Sequence, residues 1–284
     1  MAGHAALLHH FAAQAPQAGG DAIVKSSTKT QSSTESILSY IRPEVFPTPF
    51  CPGCGHGILL GAILRAIADL GWDMDEMLFV SGIGCAAWIP SPHFAADTLH
   101  VTHGRAIAFA TGAKLFNPAL KVVVIGGDGD LASIGGNHLI HAARRNLDLT
   151  AICANNRVYG MTGGQVTPTT PLGIRTATSP QGNTEPPFDL CRLVAGAGAT
   201  YVARYSTYHI RPLIRSLKKA LTHEGFAFVE VLSPCPTQYG RRNKLPQPGE
   251  MLRLMKEECV SLQRAERMSE EELEGKTLIG EFVP

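Results

Sequence analysis

The sequence predicts an α/β protein built on a doubly wound, mostly parallel sheet, and three observations carry that expectation. Short apolar runs alternate along the body of the chain with segments of helical periodicity. The runs, such as Lys121 to Gly126 (KVVVIG), are continuously apolar, which suits strands covered on both faces. Polar, glycine-bearing loops follow two of them, at the strand ends where open α/β sheets bind ligands.

Taken in order, Gly57 to Leu70 reads as a helix, Met77 to Ser81 as a strand, and Gly104 to Leu115 as a helix stopped by Asn117 and Pro118. After KVVVIG come a helix from Ser133 to Asn146, a strand from Leu149 to Ala154, a helix from Arg211 to Glu224 and a strand from Ala227 to Leu232. These elements place one ligand-binding domain over residues 37–245. Residues 1–36 read as a flexible extension, because Lys25 to Glu35 is a Ser/Thr/Lys/Gln tract without hydrophobic periodicity. Residues 246–284 read as a helical tail or docking arm, with Met251, Leu252, Leu254 and Met255 at roughly helical spacing among mixed charges.

A chain of 284 residues, 44% hydrophobic and 17% charged, can bury a sizeable core. Its formal net charge of +1 provides no field to draw nucleic acid or an anionic membrane. No run approaches the ~18 apolar residues of a spanning helix. Met1 to Ala18 has no basic region, and His9 and His10 interrupt its apolar run, so no secretory signal is expected. Seven cysteines, an odd count that includes a CxxC pair, point to metal or redox use in a reducing cytoplasm.

The chemistry concentrates in two constellations. Gly127-Asp128-Gly129-Asp130 follows the KVVVIG strand, and Asn155-Asn156-Arg157-Val158 follows the next strand. Both loops fall at carboxyl ends of neighbouring strands, so Asp128 and Asn156 can converge on one site. A carboxylate, an amide oxygen and a backbone carbonyl are hard ligands suited to Mg²⁺, which commonly bridges protein to a diphosphate. The second constellation is Cys51-Pro52-Gly53-Cys54 at a helix entrance, with Cys85 in SGIGC and Cys235 in SPCP. Such a set fits structural zinc, a redox dithiol or an iron-sulfur cluster. Cys153 and Cys191 lie in or beside apolar segments and read as buried free thiols.

GDG, about 25 residues and then NN resembles the fingerprint of thiamine diphosphate enzymes, and implies Mg²⁺ bound by Asp128, Asn156 and the carbonyl of Val158. Moreover CPGCGHG, SGIGC, THGRA, GGDGD, IGGNHLIHAARRN, NNRVYGMTGGQ and SPCPTQYG follow one another over residues 45–245. In that order they resemble the beta subunit of 2-oxoacid:ferredoxin oxidoreductases. The resemblance implies a thiamine diphosphate-binding fold and a [4Fe-4S] cluster on Cys51, Cys54, Cys85 and Cys235. It further implies that Ile83, Gly84, Cys85, Ala86, His103, Gly104 and Arg105 line the cofactor, and that Gly129, Asp130, Gly160 and Met161 surround its diphosphate.

The activity so implied is CoA-dependent oxidative decarboxylation of a 2-oxoacid, with electrons leaving through the cluster to ferredoxin. The NNRVYGMTGGQ stretch looks most like 2-oxoglutarate-type subunits. One domain leaves no room for the cofactor's pyrimidine-binding half, so an alpha subunit is expected to supply the activating glutamate in an α2β2 or larger assembly. Trp88 stands where sequences of the family it resembles often carry Lys or Arg, and Gly163 where some have Lys. Two other readings remain open from the residues: a non-redox thiamine-dependent decarboxylase subunit with a structural zinc, and a zinc-bearing interaction module without catalysis.

Overall fold

Runs rich in Val, Ile and Phe form the centre of one sheet, as their β-branched and aromatic side chains favour. The computed structural model describes residues 37–245 and 247–284, and the expected extension at 1–36 lies outside the described residues. The strands are β1 (Met77–Ser81), β2 (Asp97–His100), β3 (Lys121–Gly127), β4 (Leu149–Asn155), β5 (Tyr201–Ser206), β6 (Phe226–Leu232), β7 (Cys259–Ser261) and β8 (Thr277–Val283). Their order is β2-β1-β3-β4-β6-β5-β8-β7. Neighbours from β2 across to β5 pair in parallel, whereas β8 pairs antiparallel to β5 and parallel to β7.

Parallel neighbours need crossovers, and the crossovers cover both faces. On one face α1 (Gly55–Leu70) and α5 (Ile210–Thr222) bury Leu59, Ile63, Leu213 and Leu217 against Phe79, Ile125, Ile152 and Val229. On the other, α2 (Ala106–Phe116), α3 (Gly136–Arg144) and α4 (Leu190–Gly196) bury Ile107, Leu139 and Val194 against Val80, Val124, Ala151 and Phe228. Adjacent residues such as Phe79 and Val80 thus serve opposite faces, the two-residue repeat of a strand.

The chain leaves β1 toward β2 on one side and returns to β3 on the other. Strand order therefore reverses between β1 and β3, which opens a crevice at their carboxyl ends. The expected doubly wound sheet is present, and the reading missed β2, β5, β7 and β8 within it. Residues 246–284, expected to be helical, hold α6 (Pro248–Glu258), the short helices α7 (Leu262–Ala265) and α8 (Glu270–Leu273), and also β7 and β8. The two strands form because Cys259, Val260 and Ile279 bury there and β8 hydrogen-bonds to the sheet's edge. Among the described residues, no helix is long and apolar enough to cross a membrane.

Candidate cofactor cleft and thiol cluster

Three loops meet at the crevice: Ile83–Ala86 after β1, Gly127–Asp130 after β3 and Asn156–Thr162 after β4. With His56 of α1 and His103 they line a cleft of about 270 Å³. Asp128 follows β3 and caps a π-helical turn, Gly129–Ile134, a geometry that recurs at functional sites.

Asp128 is 2% exposed, and burial pushes its carboxyl above the ordinary carboxylate range. Thr169 donates to its Oδ2 at 2.6 Å. Asn156 closes an Asx turn, its Oδ1 accepting from Val158 N at 3.2 Å. Asp128, Asn156 and Val158 thus line one wall. No lysine or arginine lines the cleft among the described residues, so a cation is the group its buried carboxylates lack. This suits Mg²⁺ carrying a diphosphate.

Asp130 does different work. Its Oδ1 accepts from Gly104 N at 2.7 Å and Ile83 N at 3.3 Å and lies 2.8 Å from His103 Nδ1. It therefore clamps the loop after β1 to the THGR loop, and its buried Oδ2 has no hydrogen-bond partner. Gly82 has to lack a side chain, since a Cβ there would sit 2.2 Å from Asp130 Oδ1. Burial pushes the Asp130 carboxyl upward as well.

Ile83, Gly84, Cys85, Ala86, His103, Gly129, Asp130, Gly160 and Met161 all line the cleft, whereas Gly104 and Arg105 do not. Gly104 acts through its N–H on Asp130, and Arg105 turns its guanidinium to the carbonyls of Gly104 and Ile134. The sequence reading missed His56, Tyr159 and Thr162 in the lining and Thr169 behind Asp128. His56 is 1% exposed, its Nδ1 lies 2.9 Å from Ser233 Oγ, and its Nε2 has no partner. Burial lowers its pKa to about 4. Its place in CPGCGHG was the available signal. At Gly163, Arg242 Nη2 donates to the carbonyl at 3.0 Å, so a cation stands beside this position.

The thiols gather alongside. Cys54 caps α1, and Gly55 N donates to Pro234 O at 3.0 Å, joining the CxxC turn to the loop that bears Cys235. Burial pushes the Cys54 thiol up to about 12 and that of Cys85 up to about 11. Cys51 and Cys235 add repulsion to both, as a convergent set must. Gly160 marks where the two constellations meet: a Cβ there would lie 3.5 Å from Asn156 Nδ2, 3.5 Å from Cys85 Sγ and 3.8 Å from Cys235 Sγ.

The thiamine pyrophosphate enzyme C-terminal TPP binding domain family matches residues 82–231. Across 246 residues, 87% of this chain and 91% of the relative, the sequence is 52% identical to 2-oxoglutarate synthase subunit KorB of Methanocaldococcus jannaschii. The chain belongs to this family of oxidoreductase subunits. A further member, the 2-oxoacid:ferredoxin oxidoreductase subunit beta of Saccharolobus solfataricus, is 47% identical over 66% of this chain and 62% of its own. Among solved structures, the 2-oxoglutarate:ferredoxin oxidoreductase from Magnetococcus marinus with 2-oxoglutarate, coenzyme A and succinyl-CoA bound aligns with a TM-score of 0.76. It is 34% identical, over 86% of this chain and 83% of that one. The resemblance read from the motifs is thereby established, and with it the thiamine diphosphate-binding fold.

Proposed function

We propose that this chain is the beta subunit of an enzyme that oxidatively decarboxylates 2-oxoglutarate to an acyl-CoA and passes the electrons to ferredoxin. Asp128, Asn156 and the carbonyl of Val158 would hold Mg²⁺ and through it the diphosphate of thiamine diphosphate. Cys51, Cys54, Cys85 and Cys235 would hold a [4Fe-4S] cluster. When bound, thiamine diphosphate supplies the carbanion that releases CO₂ from the 2-oxoacid, and the cluster carries electrons away.

The single observation behind this reading is the meeting point at Gly160, where the amide of Asn156 and the sulfurs of Cys85 and Cys235 come within contact of one place. A cofactor held on one side and a cluster on the other would exchange electrons over a short path.

The protein's own groups orient and exclude. Asp130 holds His103 at the cleft wall, which Ile83 and Met161 also line, and Arg242, bonded to the carbonyl of Gly163 next to the lining residue Thr162, would offer a cation to an anionic substrate or CoA. The naming of its relatives as subunits supports the expectation of an alpha subunit that completes the pocket. Anaerobic purification of the assembled enzyme, with iron and sulfide analysis, tests the reading. About four irons per chain, lost in Cys54→Ser, support it; a zinc-bearing colourless protein would overturn it in favour of the non-redox decarboxylase.

A further inference from the structure

Behind Asp128, on the side away from the cleft lining, runs a continuous buried chain of polar groups that the proposed chemistry does not use. Arg204 and Glu230 stand opposite each other on adjacent parallel strands, β5 and β6. Arg204 Nε donates to Glu230 Oε2 at 2.6 Å, and Glu230 Oε1 accepts from Asn155 Nδ2 at 2.7 Å. That bond sets the amide's orientation, because the carboxylate can only accept. Asn155 Oδ1 therefore faces the other way, where it accepts from Arg157 N at 2.9 Å and lies 3.0 Å from Thr169 Oγ1.

The Thr169 hydroxyl has three oxygen neighbours, Asn155 Oδ1, Asp128 Oδ2 and Thr167 Oγ1 at 3.2 Å, and one proton to give. The shortest contact, 2.6 Å, is to Oδ2 of Asp128, and a bond to the carboxylate, the form that would hold a metal, is the stronger kind. The hydroxyl is thus held between a fixed amide oxygen and the carboxylate, and it occupies Oδ2. The far end of the chain is anchored twice: Arg204 Nη1 donates to Leu278 O of β8 at 3.3 Å, and Nη2 pairs with Asp189 at the start of α4. Thr169, Asn155, Glu230 and Arg204 are all buried, at 5%, 4%, 2% and 7% exposure. Buried polar groups are kept at a cost in desolvation, so a fully connected set spanning three strands to one carboxylate calls for a purpose.

We propose that Thr169 is a positioning residue which, braced by Asn155 and the Arg204–Glu230 pair, holds one oxygen of Asp128 so that the other is presented to the metal. The inference rests on the metal site proposed above. It explains why the first asparagine of the NN pair is an amide although it does not face the cleft, and why a charged pair lies within the sheet. It also ties the carboxyl-terminal strand β8 to the cofactor site through Leu278.

The test is the affinity of the assembled enzyme for Mn²⁺ in the presence of thiamine diphosphate, followed by the electron paramagnetic resonance signal of free Mn²⁺. Outer-shell partners of metal ligands typically contribute ~10–100-fold in metal affinity. Thr169→Val, close in shape but without the hydroxyl, is expected to weaken Mn²⁺ by that factor while leaving iron content and melting temperature near those of the parent. Thr169→Ser should restore most of the affinity. Should the valine variant not assemble, Thr169→Ala asks the same question without the second branch. Parent-like Mn²⁺ affinity in either variant, with Asp128→Ala binding none, overturns the positioning role and leaves the metal site standing. Unchanged Mn²⁺ affinity in Asp128→Ala would overturn the metal site itself and the inference with it.

Discussion

The carboxylate wall and the thiol cluster lie side by side, yet they are built in opposite ways. Asp128 and Asn156 each follow the last residue of adjacent central strands, whose pairing through Gly127 and Ala154 brings them near each other. Cys51, Cys54, Cys85 and Cys235 come from three irregular loops, and only tertiary docking joins the first to the last. The difference teaches where each site should fail. Strand-borne groups would depend on polar bracing within the sheet, whereas loop-borne thiols would depend on close contact between loops and on the metal proposed for them.

The largest effect that would sharpen this contrast is expected from Cys235→Ser. Iron analysis should show the cluster essentially gone, since each iron needs its own thiolate, while thiamine diphosphate binding by calorimetry persists. Loss of both together would break the contrast. Next, Gly55→Ala attacks docking without touching a thiol. A Cβ at Gly55 would sit 2.4 Å from Pro234 Cδ and 2.5 Å from Ser233 Oγ. The CxxC turn must then separate from the Cys235 loop, and most of the iron should be lost while far-ultraviolet circular dichroism stays parent-like. Full iron in that variant would mean that the loops are not held by this contact.

On the strand side, Arg204→Ala leaves Glu230 buried and unpaired, which typically costs ~3–5 kcal/mol. Urea unfolding of the chain should show a loss of that order; a loss under about 1 kcal/mol would mean that the pair behaves as an exposed one. The smallest effect is expected at Asp189. Burial pushes its carboxyl up, but Arg204 more than reverses this and holds it below the ordinary carboxylate range. Its contribution is therefore present above that range and is lost as pH falls through the folded value. Because the side chain is 39% exposed, solvent screens the pair, and the stability difference between parent and Asp189→Asn should stay under about 1 kcal/mol near neutral pH. That difference should shrink on acidification; one that grew would reverse the sign argued for Arg204.

The same contrast explains what could be read from the sequence. β1, β3, β4 and β6 are buried along nearly their whole length, so their apolar runs announced them, and the crevice followed from the loops at their ends. β5 went unseen because Arg204 interrupts its apolar run, and partners distant in sequence, Glu230 at 26 positions together with Asp189 and the carbonyl of Leu278, make that charge tolerable inside the sheet. β2 is a short edge strand of polar and exposed residues. β8 carries Gly280 and Glu281 and is held by pairing with β5 rather than by its own pattern. His56 and Thr169 were missed for a related reason: their partners, Ser233 and Asp128, lie 177 and 41 positions away. The cysteines were legible as a set, but the docking of Gly55 on Pro234 that gathers them was not.

The proposed function has the cofactor and the cluster exchange electrons across Gly160 within this one chain. Its most direct test mixes the anaerobic, assembled enzyme with 2-oxoglutarate and CoA, without ferredoxin, and follows the visible absorbance of the cluster. Prompt bleaching in the parent, absent in Asp128→Ala of equal iron content, is the expected result. Decarboxylation of the 2-oxoacid with the cluster absorbance unchanged would contradict it.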